Sequence, residues 1–124
     1  MIKNNYSATE INRLIKTTKM KAIKIPGYNH IQPVMGNNIV RIEASSNYSK
    51  IYLDNGHWLT VAKVLHWFED NLEDDFFCRI HKAHIVNRQF ISTISADNNI
   101  LTLLNGHQLK ISRRRKNEVL KTLA

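Results

Sequence analysis

Apolar and polar residues alternate along most of this chain, and in only three places do apolar residues recur at helical spacing. Alternation with a period of two sends successive side chains to opposite faces of a strand, whereas a period near 3.6 builds a stripe on a helix. From residue 20 onward the period is two. Ala22-Ile23-Lys24-Ile25 stops at Pro26-Gly27, and His30-Ile31-Gln32-Pro33-Val34 stops at Gly36-Asn37-Asn38, both of them turn signals. Two longer runs follow, Ile39-Val40-Arg41-Ile42-Glu43-Ala44 and Tyr48-Ser49-Lys50-Ile51-Tyr52-Leu53, separated by the polar Ser45-Ser46-Asn47. In the second run Ser49, Ile51 and Leu53 share one face and Tyr48, Lys50 and Tyr52 the other. Asp54-Asn55-Gly56-His57 then carries an Asn-Gly hairpin turn into Trp58-Leu59-Thr60-Val61. Strand patterns resume over residues 76–80, 84–86, 90–94, 100–104 and 108–111, the last two joined by a second Asn-Gly turn at Asn105-Gly106. Short strands joined by hairpins predict antiparallel sheets and argue against βαβ units.

The helical patterns are short. Ser7-Ala8-Thr9-Glu10 fits a capping box, and Tyr6 and Ile11 sit at the spacing of a hydrophobic staple, so a helix is expected over residues 8–18 with Ile11, Leu14 and Ile15 as its stripe. Val61, Val64, Leu65, Phe68 and Leu72 stand at i, i+3, i+4, i+7 and i+11, which predicts a stronger helix over residues 61–73 with its acids turned to solvent. The third, over residues 114–123, offers Val119, Leu120 and Leu123 to the core.

With 124 residues there is room for one domain. At this size folding hides somewhat under ~70% of the unfolded surface, so neither disulfide nor metal is needed. The lone Cys78 agrees, and reads as a buried small hydrophobe. No apolar run approaches the ~20 residues of a membrane span, and the first ten residues lack the apolar stretch of a signal peptide, which points to a cytoplasmic protein. The net charge of +8 is unevenly placed. Five of the ten acids fall within residues 69–75, while residues 79–88 hold three cations and no acid, and residues 110–116 five cations and no acid. Such asymmetry suits one face to a polyanion.

Catalytic chemistry finds little support. His81 and His84 lie three apart in an extended or turn segment, where i and i+3 point to opposite faces, and no Cys or carboxylate stands at ligand spacing. The four glycines occur singly inside turns, so there is no phosphate-cradling loop, and Ser112 lacks an evident base. The chain is read as a non-enzyme without metal or cofactor. Three polar or basic segments between elements carry the stronger signal: Ser45-Ser46-Asn47, residues 79–84, and Ser112-Arg113-Arg114-Arg115-Lys116. Loops held by a rigid sheet are where binding residues sit. Cations and hydroxyls grip phosphate oxygens, while Arg to guanine and Asn to adenine make two-point base contacts.

These residues resemble the LytTR family of DNA-binding domains. Phe77-Cys78-Arg79-Ile80-His81-Lys82-Ala83-His84-Ile85-Val86-Asn87, followed by Ile91, is similar to the family signature of an aromatic residue, Arg-x-His, a basic or polar residue, a small residue and an apolar pair closed by Asn. Upstream, Ile42-Glu43-Ala44 followed by Asn47-Tyr48 resembles a second motif; downstream, Leu104-Asn105-Gly106, Leu109 and Ser112-Arg113-Arg114 resemble a third. The resemblance implies a mostly β fold of about ten short antiparallel strands in an elongated arrangement with small flanking helices. It covers a domain over residues 20–124, with residues 1–19 as a helical extension or linker. It further implies a bacterial transcription regulator of the two-component, response-regulator kind, whose loops enter successive major grooves on one side of duplex DNA. Carried over by motif position, Asn47 or its neighbours Ser46 and Tyr48 serve the first segment, Lys82 with His81 the second, and Arg114 with Arg113 the third; Lys50, Arg79, Ser112 and Lys116 beside them are further candidate DNA contacts. Asn87 belongs to the signature and is expected to lock the turn after Val86. Implied partners are duplex DNA with direct-repeat sites, a second copy on that DNA, and a receiver domain or sensor that the short N-terminal segment cannot itself contain. The chain is then a stand-alone regulator or an excised domain. Two alternatives stay open, a general polyanion or RNA-binding module and an interaction module without DNA binding. RNA recognition usually adds exposed aromatics for base stacking, and only Tyr48 and Tyr52 are obvious candidates.

Overall fold

The computed structural model describes residues 5–6, 22–23, 34–72 and 75–123. Among these residues nine strands form two antiparallel sheets. The larger has five strands in the order β6-β5-β4-β8-β7: β4 (Ile39–Ser45), β5 (Tyr48–Leu53), β6 (Trp58–Val61), β7 (Phe77–His81) and β8 (His84–Asn87). The smaller has the order β1-β9-β10-β11, built from β1 (Asn5–Tyr6), β9 (Ile91–Ser95), β10 (Ile100–Leu103) and β11 (Gln108–Lys110). A further two-stranded pair joins β2 (Ala22–Ile23) to β3 (Val34–Met35). Two helices accompany the sheets among the described residues, α1 (Leu65–Asn71) and α2 (Arg113–Leu123). The helix expected over residues 8–18 lies outside the described residues, as does the Leu123 side chain.

Alternation decides which faces meet. On β4 and β5 the register pairs Ile42 with Ile51 and Ala44 with Ser49 on one face, and Arg41 with Tyr52 and Glu43 with Lys50 on the other. Ile42, Ile51, Ile80, Ile85, Ile91, Ile94, Leu101, Leu103 and Ile111 are buried in one continuous core with Phe68 and Val119. Each such side chain stabilises the fold by about 1.5–3 kcal/mol relative to exposure.

Both Asn-Gly hairpins close in the same way. Gly56 N–H donates to Leu53 O and Leu53 N–H to His57 O; Gly106 and Leu103 repeat the pattern with Leu103 O and His107 O. Within these two loops only the glycines take positive φ, +87° and +88°, so each loop is a type I turn followed by a left-handed glycine and not a two-residue type I′ turn. Asn55 and Asn105 contribute by accepting the N–H of the residue two positions on.

The middle helix is shorter than its apolar spacing predicts. Val61 still belongs to β6, and Val64 is an extended cap residue half exposed to solvent. The cause lies in the strand: Val61 is in register with Ser49, whose hydroxyl donates to Lys63 O at 2.6 Å, holding residues 61–63 extended before the helix can start. Leu65 and Phe68 keep the buried places that the stripe assigned to them.

Candidate nucleic-acid interface

Two backbone hydrogen bonds bring the three polar and basic segments together. β4 turns into β5 through Ser46 and Asn47, both exposed, with Ser45 and Tyr48 paired beneath them. Ser46 adopts φ +58°, a left-handed conformation that costs a non-glycine residue about 1–2 kcal/mol. β7 turns into β8 through Lys82 and Ala83. Ala44 N–H donates to Ala83 O at 2.9 Å, so the two turns are neighbours on one edge of the five-stranded sheet. Ser112 N–H donates to Ile80 O at 2.9 Å, which brings the start of α2 to the same end of β7. Ser112 then accepts the Arg115 N–H through both its carbonyl and its hydroxyl, capping the helix.

The second turn is braced from within. Arg79 donates through Nε to His81 O at 3.0 Å, through Nη2 to Lys82 O at 2.7 Å, and through Nη1 to Glu69 of α1. Ala83 N–H donates to His81 Nδ1 at 3.1 Å. His81 and His84 do not point to opposite faces as the extended spacing predicts: the hairpin makes them register partners and brings their rings to 5.4 Å, with the His84 Nδ1 buried and unpartnered among the described residues. Burial, then the charges of Lys82, Arg115, Lys110 and Arg79, hold the His81 pKa below the ordinary histidine value. Burial is also the largest influence on His84, partly countered by Glu43 and reinforced by His81, Arg41 and His107, with the net shift downward.

The expected residues thus fall in three positions. Ser46, Asn47, Tyr48, Lys82, Arg113 and Arg114 are exposed at or beside this edge, with Lys116 half-buried one turn into the helix. Lys50 is set back, on the outer strand face between Glu43 and Thr60. Arg79 points inward, its guanidinium spread over the turn carbonyls and Glu69. The structure also draws in Lys110 and Arg115, close enough to His81 to act on its charge. Their signal was the cation run over residues 110–116, which gave no means of choosing among its members.

Away from the edge, Arg41 is buried with its guanidinium 3.9 Å from the centre of the Tyr52 ring and donates to Glu43, which also accepts the Tyr52 hydroxyl. Burial alone would raise the Glu43 pKa, but the hydrogen bond and charge of Arg41, with the Tyr52 hydroxyl and His84, carry it below the ordinary value. Asn87 is fully buried; its amide donates to Gly36 O and Ile39 O and its oxygen accepts Gln89 N–H. Among the described residues no group of three or more His, Cys, Asp or Glu is placed to hold a metal ion, and no described helix is long and apolar enough to cross a membrane.

A mostly β domain that gathers hydroxyls, amides and cations on one sheet edge, at the start of a helix whose first turn holds no acid, has the form of a nucleic-acid-binding module. The LytTr DNA-binding domain family matches residues 29–124, and the chain belongs to that family. A solved LytTr DNA-binding domain from Bacillus cereus shares the fold, with a TM-score of 0.70 at 23% identity, over 87% of this chain and 99% of that one. No curated protein matches the chain. The family is one of DNA-binding domains and not of catalysts.

Proposed function

We propose that this chain is a sequence-specific binder of duplex DNA, acting as a bacterial transcription regulator that addresses successive major grooves from one side of the helix. In this reading Asn47, Lys82 and Arg114 read base edges. Ser46, Tyr48, Lys50, His81, Ser112, Arg113 and Lys116 grip the backbone around them, joined by Lys110 and Arg115. Two copies occupy direct-repeat sites.

The observation that carries the reading is the bond from Ala44 N–H to Ala83 O, which makes two sequence-distant turns into one surface, with the start of α2 docked beside them. Electrostatics support it. Arg113, Arg114, Arg115 and Lys116 crowd the positive end of the α2 dipole with no acid nearby in the first turn, an arrangement unfavourable in the free protein and relieved by phosphate. The left-handed Ser46 adds local strain at the tip of an exposed turn, a feature that clusters at binding sites.

Selection of bound sequences from a random duplex pool tests the proposal. A recurring motif should emerge, and single-stranded RNA of matched length should compete poorly. A pool that stays random, or RNA that competes equally, would favour a general polyanion binder instead.

A further inference from the structure

We propose that Arg79 is a positioning residue for the Lys82 turn, held in place by Glu69, so that the acidic helix α1 shapes the DNA-contacting edge without touching DNA. The inference rests on the function proposed above and assigns Arg79 a role distinct from a direct DNA contact.

The geometry carries it. All three guanidinium nitrogens of Arg79 are engaged: Nε and Nη2 on the consecutive carbonyls of His81 and Lys82, and Nη1 on Glu69 Oε1. A planar, rigid fork that binds two successive carbonyls fixes the orientation of both peptide planes, which a lysine ammonium cannot do. The Ala83 N–H to His81 Nδ1 bond closes the turn from the other side, leaving the exposed Lys82 side chain as the part that projects. Arg79 and Glu69 both line the cleft between α1, β7 and α2, but the Arg79 side chain is only 17% exposed and its nitrogens are already engaged, so its charge is poorly placed to meet phosphate. A carboxylate this near a DNA-binding edge would repel phosphate; paired with Arg79, its charge is largely cancelled at short range.

Removing the Glu69 charge separates the two roles by sign. If Arg79 positions the turn, Glu69→Gln loosens the brace and weakens binding to the preferred duplex. If Arg79 grips phosphate, the same change frees a cation, removes an anion and tightens binding to every duplex.

The experiment measures equilibrium binding of the full chain to the selected duplex and to a random duplex, across salt concentrations, with melting temperature as a control. The variants are Glu69→Gln, Arg79→Lys, Arg79→Ala, Lys82→Ala and Arg79→Ala/Lys82→Ala. Glu69→Gln and Arg79→Lys should each weaken the preferred duplex by about 3- to 30-fold, inside the range of coupling between residues in contact, with little change on random DNA. Arg79→Ala should add less than about 2-fold to Lys82→Ala, because both act through the same contact. If Arg79→Ala does not fold, Glu69→Gln and Arg79→Lys decide the matter alone. Binding that is unchanged or tighter in Glu69→Gln overturns the inference, as does an Arg79→Ala loss that persists in full without Lys82. A wild-type chain with no preference between the duplexes would instead overturn the proposed function itself.

Discussion

At Asn87 one amide satisfies three backbone groups from two parts of the chain: the carbonyls of Gly36 and Ile39, and the N–H of Gln89. Leaving a buried polar group unmet costs about 1–3 kcal/mol. Asn87→Ala should therefore lower stability by about 2–4 kcal/mol in urea denaturation, and a loss under about 0.5 kcal/mol would contradict this role. The residue was legible in the sequence as a lock on its own turn. Its longer reach to Gly36 and Ile39 was not, because nothing local to residues 84–91 indicates which distant carbonyls need a donor. Arg79 shows the same limit more sharply, since an arginine in a basic signature reads as a DNA contact and nothing within residues 77–87 indicates that Glu69 of α1 meets its third nitrogen. Arg114 and Lys116 divide by chemistry. A guanidinium can make two hydrogen bonds to guanine, whereas an ammonium suits phosphate as a point charge. Arg114→Ala should cost about 1–3 kcal/mol on the preferred site and little on random duplex, while Lys116→Ala weakens both alike and lowers the salt slope by about one. Equal losses on the two duplexes for both variants would reduce Arg114 to a phosphate contact.

Among elements, the strands follow from alternation because one face of each is buried, and a shift by one residue would turn every side chain to the wrong side. The span of α1 was less legible. Val61 and Val64 satisfy helical spacing, but strand pairing with β5 and the Ser49 to Lys63 bond hold this segment extended, and tertiary pairing overrides local period. The β7–β8 hairpin carries a pH dependence of its own. His81 and His84 both have pKa values below the ordinary histidine value, so the unfolded chain takes up protons first as pH falls. Stability is full above about pH 6.5 and declines as pH drops from there toward the lowered folded values. The depressed Glu43 acts in a lower window, below about pH 4.5, and leaves the range between pH 6.5 and 5 to the histidines. Urea denaturation should show lower stability at pH 5 than at pH 7.5, with the difference reduced in His84→Gln. Equal wild-type stability at the two values would contradict this account of the hairpin.

For the whole molecule, the five-stranded sheet at ~4.8 Å per strand carries its edge across about 20 Å, wider than one major groove of about 12 Å. The charge asymmetry read from the sequence has a spatial counterpart, with cations from residues 79–82 and 110–116 gathered around His81 and the α1 carboxylate nearest them, Glu69, paired with Arg79. If roughly 5–7 phosphates are neutralised, log K should fall against log salt with a slope of about −4.5 to −6, and a slope near zero would exclude backbone gripping. Charge alone gives affinity without preference, so preference is what distinguishes a sequence-specific regulator from a general polyanion binder. The most direct test titrates the full chain with its selected duplex and with a random duplex of equal length at one physiological salt concentration. A sequence-specific binder should hold the selected duplex tighter by at least about 10³-fold; equal affinity for the two would rule out sequence-specific recognition.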